Sequence, residues 1–278
     1  MLKEVPLKDG HILAPFFKEA YDSCPEAFIQ GVMGRGFTDS TEEPTYGVIQ
    51  IGDFCFFGGD ASAPFKGHVI AIINNSFKNP NMIFIPLSLS WGQKFEEHTS
   101  YERDLRYALE RTDIESFDKN ALMSYINREL PDAGTIGESE TCDFIIRPID
   151  ENYYVSVSNQ EWSKDFTSNY PDYPTFQKLG LGFVVIEQST GRLVSGASSF
   201  SSSQDSIEIE INTAPDYRKK GLATSVSAKM VLACLERGKY PSWDAANVAS
   251  VAIAEKLGYH LSEEYTCYRY TEEDFSRS

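Results

Sequence analysis

Residues 215–226, PDYRKKGLATSV, set Arg218, Lys219 and Lys220 directly before Gly221 and a helical pattern. The first amides of a helix lack intrahelical partners, and the aligned peptide dipoles leave partial positive charge there. Gly221 removes the side chain that would hold a bulky anion off the backbone. Three neighbouring cations add a field of the same sign. Such a corner suits a diphosphate, which needs several N–H donors and close approach. It is not a Walker A loop, because the order is KKG, and it is not a dinucleotide GxGxxG. The triplet alone fits a solvated, basic helix start equally well.

Carboxylates stand just upstream. Glu208 and Glu210 alternate with Ile207, Ile209 and Ile211, so a strand over 206–213 turns both to one face. Two like carboxylates on one face raise each other's pKa, which suits a general base working near neutrality. The plain alternative is a solvated face. Asp244, at the end of a short strand pattern, is a third candidate base. None of His11, His68, His98 and His260 falls in HxH or HExxH spacing, so no metal site is expected.

The elements that must position these groups fall in two halves, 1–137 and 142–278. In the first, 27–34, 46–52, 53–59 and 81–88 read as strands, with a hairpin at Ile51-Gly52-Asp53. GVMGRG (31–36) reads as a strand-end turn rather than a second glycine loop. A helix is expected to begin in the run from Ser90 to Leu109. Another is expected over 119–130, where Leu122, Met123, Ile126 and Leu130 have helical spacing. Pro131 to Gly134 ends it, and the polar stretch to Thr141 reads as a linker.

The second half opens on a strand at 142–149, then a tyrosine-rich helical region. An antiparallel meander follows over 181–188, 193–200 and 206–213, with turns at Thr190-Gly191-Arg192 and Gln204-Asp205. Leu222, Val226, Met230 and Cys234 form one apolar stripe of a helix closed by Gly238. A short strand leads to a second amphipathic helix from Asn247 to Leu257, closed by Gly258. A last strand covers 265–270.

The 278 residues carry a formal net charge of −16. That argues against nucleic-acid and anionic-membrane partners, which select basic faces, and is compatible with a cationic substrate. No leader pattern and no membrane-length apolar run is read. Five cysteines without a CxxC pair suggest neither a disulfide framework nor zinc, and fit a cytoplasmic protein.

INTAPDYRKKGLAT resembles the pyrophosphate motif of the GNAT superfamily of N-acetyltransferases, R/Q-x-x-G-x-G/A, filled here by Arg218, Gly221 and Ala223. NVASVAIAEKLGYH resembles that family's next signature, through Asn247, Ser250, Lys256, Gly258 and Tyr259. The likeness covers roughly residues 142–270. The whole chain is similar to two-part Gram-positive acetyltransferases that include the zwittermicin A resistance proteins.

The resemblance implies an α/β (α+β) fold, with a central, mostly antiparallel sheet flanked by helices in the C-terminal half. The mixed α/β N-terminal half would be an acceptor-shaping domain or a degenerate copy of the same fold. It further implies acetyl-CoA as donor and an amine as acceptor, by direct attack, with no role for the cysteines. Backbone groups of Ile211, Asn212 and Thr213 would pair with the pantetheine arm, and an N–H near Thr213 would polarise the thioester. Amides of Lys219, Lys220, Gly221, Leu222, Ala223 and Thr224 would hold the diphosphate. Asn247, with Ser250, would bind near the pantetheine or simply cap its helix.

Where the family often has a tyrosine acid, this chain has Ala254. Tyr259 and Tyr268 are substitutes in principle, though both also read as core residues. The missing acid leaves a second reading open, a non-catalytic acyl-CoA-binding regulatory module. The acceptor stays open among antibiotics, polyamines, amino acids and peptide termini.

Overall fold

The computed structural model describes residues 3–61, 82–97, 101–110, 113–129 and 143–270. Contacts group the chain into two compact units, Met1–Ala108 with Glu263–Ser278, and Leu109–Ser262. The expected linker, together with Leu130 and Cys142, lies outside the described residues.

The first unit carries strands β1 (Lys3–Val5), β2 (Arg35–Thr38), β3 (Tyr46–Ile51), β4 (Phe54–Gly59), β5 (Ile83–Pro86) and β6 (Tyr101–Glu110), with helices α1 (Cys24–Ile29) and α2 (Leu89–Glu96). The last strand of the chain, β13 (His260–Tyr270), returns to this sheet between β5 and β6. Beyond its hairpin, the core is aromatic. Phe57, Phe84, Trp91, Phe95 and Tyr268 are buried together, and the Trp91 indole N–H donates to Gly59 C=O at 3.0 Å.

One sequence expectation fails here. Residues 27–34 are not a strand. Pro25 opens α1, whose Cys24, Ala27 and Phe28 are buried at helical spacing, and the strand starts only at Arg35. The helix expected to begin in the run from Ser90 does so as α2, Leu89–Glu96, and Tyr101–Glu110 beyond it is extended. Cross-strand pairing decides this: Arg269 Nε lies 2.8 Å from Asp104 Oδ2, and Arg103 donates to Thr266 Oγ1 at 3.2 Å. Good helix formers yield to sheet context.

The second unit contains α3 (Lys119–Glu129), β7 (Phe144–Pro148), α4 (Glu151–Ser158), α5 (Tyr173–Leu179), β8 (Gly182–Glu187), β9 (Arg192–Ser202), β10 (Ser206–Thr213), α6 (Leu222–Glu236), β11 (Tyr240–Ser242), β12 (Asp244–Ala245) and α7 (Val248–Lys256). The meander, the tyrosine-rich helical region and both late helices appear where the sequence places them. α6 lies against β8, β9 and β10. Its stripe of Leu222, Val226, Met230 and Cys234 is buried. α3, expected with the N-terminal half, belongs to this unit, because it packs on α6 through buried Leu122 and Ile126. The Ser225 hydroxyl donates to Tyr125 C=O across that contact at 3.0 Å.

Both units repeat one strand plan. β1-β2-β3-β4 are successive antiparallel neighbours and β4 pairs β5 in parallel. β7-β8-β9-β10 are likewise antiparallel, and β10 pairs β11 in parallel. That matches the expectation of a second copy of the fold.

Gly34 sits at φ +99, and a Cβ there would meet Ile51 Cδ1 at 2.3 Å and Gln50 O at 2.8 Å. Gly34→Ala should therefore lower stability by about 1–3 kcal/mol in urea unfolding.

Candidate functional site

The site is built where β10 and β11 stop pairing. Their parallel register joins Ser206–Glu208 to Tyr240–Ser242, and Tyr240 N–H bonds Asp205 C=O at 2.7 Å. Continuing that ladder would bring Asp244 N–H to Ile209 C=O. It bonds instead to Glu208 Oε1 at 2.9 Å. A side-chain carboxylate thus takes the place of the next rung, and the pairing ends. On its other edge β10 stays paired with β9 as far as Thr213↔Ser195, with a register shift at Glu208/Ile209.

Ala214 N–H bonds Val194 C=O on the β9 side at 2.9 Å. Alternation therefore turns the N–H and C=O of Ile211 and Thr213 to the edge that β11 has left. At Thr213 both groups are engaged: its N–H by Asn212 Oδ1 at 2.9 Å and its C=O by Arg218 Nε at 3.2 Å.

The face carrying Glu208, Glu210 and Asn212 is not the solvated one considered from sequence. Glu208 is only 5 % exposed, and Glu210 and Asn212 are half-buried. Residues 159–166 lie over this face. Ser198, opposite Glu210, donates to Phe166 C=O at 2.7 Å, and Asn212 Nδ2 donates to Trp162 C=O at 2.7 Å. Asp244 is half-buried and close enough to Glu208 to supply the backbone bond above.

Beyond Thr213 the chain makes a short turn and starts α6 on Gly221 at φ +80, with no side-chain cap. A helix usually begins on an extended Ser, Thr, Asp or Asn that caps its own amides. Here no side chain caps the amides of the first turn. Lys219 is also left-handed, at φ +64. Two such residues so close together coil the backbone tightly ahead of Leu222, Ala223 and Thr224.

The three cations separate. Arg218 reaches back to Thr213, and the Lys220 ammonium stands 4.6 Å from the Tyr217 ring centroid, a cation–π distance. Tyr217 donates to Glu187 Oε2 at 2.8 Å. That bond raises the phenol's pKa, while the Thr190 and Tyr217 hydroxyls lower that of Glu187.

Asn247 caps α7, its Oδ1 accepting from Ser250 N–H at 3.0 Å. Ser250 in turn accepts from the Trp243 indole at 3.1 Å. Ala254 is fully buried. Tyr259 is buried too, donating to Pro241 C=O at 2.7 Å, and burial drives its pKa well up. Tyr268 belongs to the first unit's aromatic core and bonds Glu96 at 3.1 Å, its pKa pushed up to about 12, chiefly by burial. Both tyrosines are core residues with their hydroxyls committed.

A family model described as GNAT acetyltransferase matches residues 14–268, spanning both units. The chain belongs to the GNAT acetyltransferase family. A GCN5-related N-acetyltransferase-like protein from Streptococcus suis 89/1591 is 32% identical with a TM-score of 0.81, over 96% of this chain and 100% of that one. The uncharacterized N-acetyltransferase YdfB of Bacillus subtilis (strain 168) is 32% identical over 126 residues, 45% of this chain and 47% of that protein. The matched segment thus spans about half the length of that curated relative. A tandem GNAT protein from the clavulanic acid biosynthesis pathway is similar in fold alone, at 10% identity and a TM-score of 0.54 over 96% and 98% of the chains.

Within this GNAT protein, the glycine start, the paired glutamates and the Asn247 cap all carried sequence signals. The Asn212–Trp162 bond joins residues far apart in the chain and carried none. Nor did Glu208's bond to a backbone amide.

Two of the cysteines are sealed from solvent. Cys55 and Cys234 are fully buried, and burial pushes the Cys234 thiol up to about 12. The thiolate is the reactive form, so neither residue should be alkylated by iodoacetamide at pH 8 in the native state, while both should react in denaturant. Peptide mass mapping checks this.

Proposed function

We propose that the protein transfers an acetyl group from acetyl-CoA directly to a primary amine of a small molecule, antibiotics included, or of a peptide. The observation that carries the reading is the end of the β10–β11 ladder at Glu208, shortly ahead of a helix that begins uncapped on a left-handed glycine. The first feature leaves a strand edge for an extended pantetheine arm, and the second leaves amides for its diphosphate. Ile211, whose N–H and C=O face that edge, is the natural pairing position. No described helix is long and apolar enough to cross a membrane.

In this reading Glu210 takes one proton from the acceptor's ammonium, the neutral amine attacks the thioester carbonyl, and the second proton lost by nitrogen passes to water or to the departed thiolate. It is half-buried on the face covered by residues 159–166, whereas Glu208 is nearly sealed and bonded to Asp244 N–H. The C–N bond forms as the C–S bond breaks. The sulfur leaves as thiolate, because Ala254 offers no proton and Tyr259 is committed to Pro241. A thiol pKa near 8.5 makes that departure tolerable. Buried Ala254 also favours a second reading, an acyl-CoA-binding module without turnover.

Calorimetry tests the first reading. Wild type should bind one acetyl-CoA per chain, with affinity lowered at least about 100-fold in Gly221→Glu, where an anionic side chain meets the diphosphate and the left-handed backbone is strained. No binding by wild type would sink both readings, and binding without turnover of any amine would select the second. Given turnover, Glu210→Gln should lower kcat by about 10²–10⁴-fold. Glu208→Gln, whose amide oxygen still accepts from Asp244, should lower it less.

A further inference from the structure

We propose that Asn212 is a positioning residue that couples the acyl-donor edge to the segment bearing Trp162. The inference rests on the acetyl-donor reading of that edge. Asn212 Oδ1 accepts from Thr213 N–H at 2.9 Å, and its Nδ2 donates to Trp162 C=O at 2.7 Å. One side chain therefore uses its acceptor on the donor strand and its donor on the covering segment. Only a primary amide offers both functions at this length. Aspartate would keep the first bond and set a charged oxygen against the Trp162 carbonyl. Serine is too short to span the two.

The Trp162 segment is held over the same face. Phe166 packs so closely on Gly196, the β9 partner of Asn212, that a Cβ there would meet its ring at 2.5 Å. Trp162 sets its ring edge-on to Phe166, with centroids 5.9 Å apart, and its indole N–H is fixed by Gln160 at 3.0 Å. This segment covers the face that carries Glu210, so it borders the path by which an amine reaches the base. An arm pairing along the open edge competes with Asn212 for the Thr213 N–H. Losing that bond frees the Asn212 amide to turn and loosens its hold on Trp162. Donor occupancy thereby releases the acceptor-side segment.

Hydrogen exchange tests this on the intact protein. The Ser163, Lys164 and Phe166 amides close turns onto Gln160 and Ser163 carbonyls and report the segment's order. In wild type, saturating acetyl-CoA should speed their exchange about fivefold, the factor that one ordinary hydrogen bond is worth. Asn212→Asp should exchange fast with or without acetyl-CoA, and Asn212→Ser should do the same. A merely structural anchor would give the same wild-type exchange in both states. Calorimetric heat with unchanged or slowed wild-type exchange overturns the coupling alone. Absence of any heat overturns the donor reading, and the coupling with it.

Discussion

One carboxylate–amide bond decides the character of the second unit. Glu208 accepts from the backbone of Asp244 at the point where β10 and β11 would otherwise go on pairing. A parallel ladder is self-propagating, since each rung places the next donor opposite its acceptor. Ending it requires a competing acceptor in the right place, and a buried carboxylate is a strong one. The edge at Ile211 and the face over which residues 159–166 lie both follow from that ending.

The first unit makes the contrast visible. Its corresponding parallel pair, β4 with β5, runs from Phe54↔Ile83 to Phe57↔Pro86 and is extended by Leu87 N–H to Phe57 C=O at 2.9 Å. Its β4 strand is Phe54-Cys55-Phe56-Phe57-Gly58-Gly59, apolar where β10 is acidic, and offers no carboxylate to interrupt the ladder. The same strand plan thus fills a core in one unit and holds two strands apart in the other. The aromatic packing of Phe57, Phe84 and Phe95 makes the first use stable.

What the sequence allowed to be read divides along physical lines. Local signals were dependable: Gly221 and Gly238 at positive φ, the stripe of α6, the turn at Gly191 and the Asn247 cap all depend on neighbours within a few residues. One failure came where a helix-opening proline and burial overruled a strand-like run. Residues 27–34 are apolar enough for a strand, yet Pro25 and the burial of Phe28 make a helix. The start of the helix in the run from Ser90 was legible, but its end was not, because residues 101–110 join a sheet where Arg269 and Thr266 lie across from them. At the site, the types of Glu208, Glu210 and Asn212 were informative. Their division of labour was not, because it rests on Asp244 and Trp162, remote residues reached only through the fold.

The path of the chain also sets an order of assembly during synthesis. The second unit is one continuous stretch, Leu109–Ser262, while the first needs the Glu263–Tyr270 portion of β13 between its β5 and β6. A ribosome adding about 5–20 residues per second takes roughly 10–30 s to reach that strand after β6 has emerged. Throughout that interval the nascent first unit has two strand edges awaiting one partner, a state open to mispairing with other chains. The half that is translated first is completed last, and a premature stop codon near residue 263 would unmake the front of the protein rather than its back.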